Sequence, residues 1–217
     1  MNIEQARFNM IEQQIRPWDV LDPDVLELLH VVKRENFVPV AHKALAFVDT
    51  EIPLPGGESM LMPKIEARLL QDVNLKKHES VLEIGTGSGY MAALLAHKGQ
   101  QVTTVEISPA LKALAEKNLA DNGVTNVKVE LGNGAQGWPN GAPYDVIVVS
   151  GSLPVLPEGL LQQLKIGGRL AVIIGQAPAM KAQLITRTGE AGYDTRTLFE
   201  TSVKPLASAT EPSKFQF

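Results

Sequence analysis

Three glycines at alternate positions, Gly85, Gly87 and Gly89, follow the acidic Glu83 and lie between an apolar run, "SVLEI", and a stretch that reads as a helix. Glycine there permits unusual backbone dihedrals and lets the main chain come close to a bound molecule. Glu106 ends the next apolar run, about 20 residues beyond the loop, where a carboxylate can accept from both hydroxyls of a ribose. The pair is more specific than either part alone. The plainer alternative is a tight strand-to-helix turn that needs glycine without binding anything. A dinucleotide site would space its glycines G-x-G-x-x-G and set a pyrophosphate on the helix N-terminus. The spacing here is G-x-G-x-G.

The elements that must position these residues follow from periodicity. After Lys77, the runs "SVLEIG", "QVTTVEI", "NVKVELG", "YDVIVVSG" and "GRLAVIIG" are short and rich in β-branched residues, with helical segments between most of them. This alternation predicts an α/β fold, a doubly wound, mostly parallel sheet with helices on both faces and ligands beyond the carboxyl ends of the strands. "AQLITRTGEAGYDTRTLFETSVKPL" reads as two further strands, a C-terminal β-hairpin turning at Gly189 and Gly192.

The N-terminal extension reads as helices. Residues 2–15 place Ile3, Phe8, Ile11 and Ile15 on one face and stop before Pro17, and a second helix runs from Asp22 to near Glu35. Residues 36–62 are loop-rich, and a third helix opens at Pro63. The organisation is a cap over 1–76, a ligand-binding core over 77–207 and a loose tail over 208–217, all one compact unit. Phe215 and Phe217 of the tail can dock on a neighbouring subunit, which leaves room for a homodimer.

Composition narrows the chemistry. The 217 residues carry 20 Lys and Arg against 24 Asp and Glu, a net charge of −4 without a basic block, so nucleic acid is not favoured as a partner. The chain has no cysteine, which excludes disulfides, thiolate metal sites and a Cys nucleophile. His30, His42, His78 and His97 show no metal-ligand spacing, so no metal site is expected. No stretch reads as a secretory signal or reaches transmembrane length, and the expected location is the cytoplasm.

The Glu83-x-Gly85-x-Gly87-x-Gly89 form, with Thr86 and Ser88 between the glycines, resembles motif I of the class I S-adenosylmethionine methyltransferases, whose cofactor has no phosphate. The resemblance implies that Glu106 and Ile107 hold the ribose and adenine side. It also implies that Gly132, Asn133 and Gly134 lie against the adenine and Ser150 at the site's mouth. Asn133 has an equally good reading as an ordinary Asn-Gly turn. Over about residues 8–207 the chain resembles the protein-L-isoaspartate O-methyltransferases. The family's R-E-x-F-V-P element is matched by Arg34, Glu35, Phe37, Val38 and Pro39, and "VLEIGTGSGYMAALLA", "LPEGLLQQLKIGGRLAVIIG" and "VKPL" fall at the corresponding positions.

The resemblance implies methyl transfer from S-adenosylmethionine, with S-adenosylhomocysteine as product, to the carboxylate of damaged aspartyl residues in a peptide or protein. A small carboxylate is the alternative acceptor, and a noncatalytic S-adenosylmethionine-binding protein is a further reading. A carboxylate is ionised at pH 7 and attacks without a general base. Three departures fall near the acceptor. The family's T-I-S-x-P aligns with "SMLMP", putting Leu61 at the active-site serine and Ser59 at the threonine. Ser59 shares Leu61's face only if the segment is extended. G-D-G becomes Gly132-Asn133-Gly134, and V-P-L-T becomes "KPLA", with Ala207 in place of a hydroxyl. The N-terminal helices and "PLPGGESMLMP" are expected to cover the site and exclude water. An NAD oxidoreductase lacks its glycine spacing here, and a DNA methyltransferase lacks its Cys or N-P-P-Y/F element.

Overall fold

A computed structural model describes residues 2–210; the tail phenylalanines 215 and 217 lie outside them. Seven strands form one sheet: β3 (Ser80–Ile84), β4 (Gln101–Glu106), β5 (Val127–Leu131), β6 (Tyr144–Leu153), β7 (Leu164–Gln176), β8 (Ala179–Arg187) and β9 (Tyr193–Thr201). Their order is β5-β4-β3-β6-β7-β8-β9. The first five strands run parallel, and β8 and β9 add antiparallel to β7. The expected hairpin is therefore an extension of the main sheet, with β9 at its edge. A separate two-stranded ribbon pairs β1 (Ile52–Pro53) with β2 (Ser59–Met60).

Period-two alternation sends both faces of the central strands into apolar surroundings, as a parallel sheet covered on both sides requires. Val146 and Val148 join one cluster with Ala171 and Ile173, while Ile147 and Val149 join the other with Leu170 and Val172. The first face carries the longer helices: α1 (Ile3–Met10), α2 (Pro23–Val31), α3 (Pro63–Val73), α4 (Tyr90–Lys98) and α5 (Pro109–Asp121). The second face is covered by the short α6 (Glu158–Gln162), Trp138 and the segment around Leu206.

Helix ends follow their capping residues. Asn2 accepts from Gln5 N at 3.2 Å to start α1, and Asp22 accepts from Asp24 N at 2.9 Å to start α2, with Pro23 following. Two boundaries differ from expectation. The first helix runs on past Met10 as a π turn (Ile11–Ile15) and a 3-10 turn (Arg16–Trp18) that contains Pro17. The second stops at Val31 because Val32 turns extended, which lets the 3-10 turn Arg34–Asn36 send Arg34 inward. Arg34 is fully buried and pairs with buried Glu66 of α3; it donates to Leu61 O at 2.7 Å and lies over the Tyr90 ring at 5.0 Å. The covering segment is thereby tied to the core at Leu61.

No helix among the described residues is long and apolar enough to cross a membrane.

Candidate cofactor and methyl-acceptor site

Strand order reverses between β3 and β6, the place where a doubly wound sheet opens a crevice beyond its carboxyl ends. A cavity of about 250 Å³ lies there, lined by Gly85 and Gly87 after β3, Glu106 and Ile107 after β4, Gly132, Asn133 and Gly134 after β5, and Ser150 in β6. Asp145 marks the opposite end of β6, accepting from Ser80 N at 2.8 Å and Lys165 Nζ at 2.7 Å.

Glu106 organises the loop. One carboxylate oxygen accepts from Gly87 N and the other from Ser108 N, both at 2.9 Å. An ionised carboxylate offers about four acceptor directions, so two remain for a vicinal diol. Gly85 has φ +91°, and a Cβ there would lie 2.9 Å from Leu206 Cδ2 and 3.2 Å from the Ser150 carbonyl oxygen. The main chain thus approaches its neighbours closer than any side chain permits.

Asn133 Oδ1 accepts from Ala135 N at 3.0 Å, so the Asn-Gly turn is real and the side-chain NH₂ is left as a donor. Ile107 is 42% exposed and supplies an apolar surface for a flat ring. The described lining contains no lysine, arginine or histidine, only the carboxylates Glu58 and Glu106. Such a lining disfavours a pyrophosphate and suits a cationic nucleoside. These features fit S-adenosylmethionine.

Three positions in the glycine loop do something else. Thr86 Oγ1 hydrogen-bonds Thr104 Oγ1 at 2.7 Å inside the protein, and Ser88 is buried, its carbonyl accepting from Asn118 Nδ2 at 2.9 Å. Both line only a narrower cavity beside the first. Gly89 lines neither. Its φ of +85° starts α4, and a Cβ would stand 3.3 to 3.4 Å from Leu119 and Ala115 of α5. Spacing grouped Gly89 with the binding glycines, but its freedom serves helix packing.

The narrower cavity, about 20 Å³, shares Ser59, Gly85, Gly87 and Ser150 with the larger one and is also walled by Leu61, Glu66, Glu83 and Tyr90. Ser59, Met60 and Leu61 all line this cavity, so the three are not sorted onto alternate faces; only Ser59 and Met60 belong to the extended β2. Ser59 Oγ donates to Glu51 Oε2 at 3.1 Å. Leu61 is buried and apolar, so this cavity has no hydroxyl at that position, and the hydroxyl-bearing residues in its lining are Ser59, Thr86, Ser88, Tyr90 and Ser150. Ala207 lines the larger cavity without a hydroxyl. Pattern reading missed Ser108, whose serine-proline sequence opening α5 was the available signal, and missed Glu58 and Leu206, which belong to distant segments.

Glu83 is fully buried and accepts from Ser150 Oγ at 2.8 Å and Thr104 Oγ1 at 2.6 Å. Burial pushes its carboxyl up to about 8, against the pull of these two hydroxyls. Burial also raises Glu66, to about 7, although Arg34 opposes the shift. The unfolded chain releases the Glu83 proton near 4.5. Between that pH and about 8 only the folded state holds it, so the stability that Glu83 contributes is greatest below about 5, falls as pH rises, and levels off above 8. Glu83→Gln is expected to flatten much of this slope, leaving the same-signed part from Glu66. Denaturant unfolding at about pH 5.5 and pH 8 measures it, and an unchanged slope in the variant would mean that Glu83 stays ionised.

Residues 5–211 match the profile of a family described as protein-L-isoaspartate(D-aspartate) O-methyltransferase. A protein-L-isoaspartate O-methyltransferase from Rhodopseudomonas palustris (strain ATCC BAA-98 / CGA009) is 40% identical over 201 residues, covering 92% of each chain. Another, from strain HaA2, is 44% identical over 183 residues, 84% of this chain and 75% of the relative. A solved protein-L-isoaspartate O-methyltransferase superposes with TM-score 0.79 at 27% identity, covering 94% of this chain and 67% of the other. The fold also matches a Plasmodium falciparum structure, described as a complex with S-adenosyl-L-homocysteine, with TM-score 0.80 at 21% identity over 95% of this chain and 99% of the other.

Proposed function

The chain belongs to the protein-L-isoaspartate(D-aspartate) O-methyltransferase family and is an S-adenosylmethionine-dependent methyltransferase, and from that premise we propose that it methylates the carboxylate of isoaspartyl residues in damaged peptides. The observation that carries the reading is the glycine-loop cavity, bordered by Glu106 and the Gly132–Gly134 turn, in a chain that matches this family over residues 5–211. Ser59, Gly85, Gly87 and Ser150 border both the cavity suited to the cofactor and the narrow space against Leu61.

When bound, S-adenosylmethionine supplies a methyl group on an electron-poor sulfonium. The chain's own residues hold and align. Glu106 would hold the ribose hydroxyls, the Asn133 amide would donate to the adenine edge, and Ile107 would offer the ring an apolar surface. An acceptor carboxylate is ionised at neutral pH, so no residue has to remove a proton. The protein's contribution is orientation and exclusion of water, supplied by Leu54, Leu61 and Leu206 around the glycine loop. Ser59 Oγ, which donates to Glu51 Oε2, would orient the acceptor carboxylate only by turning its hydrogen from Glu51 to the acceptor. Glu51, Ser59's partner, also lines a groove of about 620 Å³ that Val203, Lys204, Pro205 and Leu206 border.

One observation favours a second reading, another carboxylate as acceptor: the positions of two family hydroxyls hold Leu61 and Ala207. Labelled-methyl transfer to an isoaspartyl peptide and its aspartyl counterpart decides between them. The expected result is base-labile label on the isoaspartyl peptide alone, rising about threefold to tenfold in Leu61→Ser as one hydrogen bond to the acceptor is gained. Absence of transfer by both proteins, with S-adenosylmethionine bound, would move the acceptor to the second reading.

A further inference from the structure

The 250 Å³ cavity is roofed by two segments far apart in the chain: the turn Pro55–Ser59 and the strip Leu206–Ala207. Its size is below the roughly 300–1,000 Å³ of sites that enclose small ligands. Both segments border the cavity, so their separation sets the way in and out for a nucleoside carrying a whole amino acid.

The two halves of the roof are held differently. The strip is fastened to the sheet, since Ser152 N donates to Lys204 O at 3.1 Å, Leu206 N to Ser152 O at 2.9 Å, and Ser152 Oγ to Val203 O at 2.9 Å. The turn rests on little. Gly56 and Gly57 both have φ +77° and nothing within 4 Å of where a Cβ would stand, so no core packing fixes the tip. What ties the tip to the strip is Lys204, whose Nζ donates to Gly57 O at 2.8 Å and to Glu58 Oε1 at 2.7 Å. Lys204 stands at a position where this chain departs from the V-P-L-T pattern it resembles, and hydrophobic contact cannot make this bond.

We propose that Lys204 is a positioning residue that latches the Pro55–Ser59 turn over the cofactor cavity, so that its ion pair with Glu58 sets how fast S-adenosylmethionine and S-adenosylhomocysteine exchange. The inference rests on the cavity being the cofactor site. Charge-assisted contacts of this kind hold a closed state without contributing much to global stability, because both side chains remain partly in water. They are also weakened by salt.

The test is the dissociation rate of S-adenosylhomocysteine, followed by displacement in rapid mixing, with the full chain and the variants K204M, E58Q, K204E, E58K and K204E/E58K. Dissociation is expected to quicken about fivefold in K204M and E58Q and further in the charge reversals, with thermal midpoints nearly unchanged. The reversed pair is expected to recover at least half of the loss on a logarithmic scale. Raising salt should bring the natural protein toward K204M while moving K204M little. Equal dissociation rates in the natural protein and K204M, or no recovery in the reversed pair, would overturn the latch while leaving the cofactor site standing. Failure of the natural protein to bind S-adenosylhomocysteine would overturn both.

Discussion

Replacing Glu106 with alanine is expected to weaken binding of S-adenosylhomocysteine about hundredfold while the protein stays folded. The carboxylate is 5% exposed and has two jobs in one place. It holds the glycine loop through Gly87 N and the start of α5 through Ser108 N. It also lines the cavity, where the proposed ribose contact would use its remaining acceptor directions. Alanine removes the anchor and the diol acceptor together. Two hydrogen bonds to an ionised group, each contributing about 1.5–3 kcal/mol, readily account for a factor of this size. Isothermal titration measures it. A cofactor analogue lacking the ribose hydroxyls separates the two jobs: it should bind the natural protein poorly and lose little more in Glu106→Ala. Equal affinity of the natural protein for both ligands would remove the ribose from Glu106.

Arg34→Ala is expected to destabilise the fold by about 3–5 kcal/mol, the usual cost of stripping one partner from a buried ion pair. Arg34 is completely buried, and three groups depend on it: the Glu66 carboxylate, the Leu61 carbonyl and the Tyr90 ring. Without the guanidinium, Glu66 must stay protonated or stand as a lone charge in the core. The penalty is therefore expected to be smaller at about pH 5.5 than at pH 8, since acid supplies the proton that alanine makes necessary. Removing both partners, as Arg34→Met with Glu66→Leu, should restore most of the stability, because no buried charge remains. Denaturant midpoints of the natural protein and the two variants decide the matter. Equal destabilisation in the single and double variants would show that volume matters here and charge does not.

The residues that announced this protein are contiguous or sit at strand ends. Glu83, Gly85, Gly87, Glu106 and the Gly132–Gly134 turn were legible because period-two runs of β-branched residues mark where each strand stops, and a parallel sheet brings those stops to one edge. The amino acid sequence by itself therefore determined the sheet and the loop and, by resemblance, the class of cofactor and the family. It could not determine where side chains in the loop point. Thr86 and Ser88 turn inward and Gly89 serves a helix contact, although spacing alone makes them equivalent to Gly85 and Gly87.

Only the tertiary structure decided the partners that lie far apart in the chain. Arg34 meets Glu66 because α2 stops short and Val32 turns extended. Glu83 collects hydroxyls from β4 and β6, and Lys204 reaches Glu58 across 146 positions. β9 takes the sheet edge, which no run of apolar residues specifies. The physical reason is common to all of these. Periodicity is a property of neighbours along the chain, whereas burial of a charge or closure of a roof depends on which surfaces packing brings into contact.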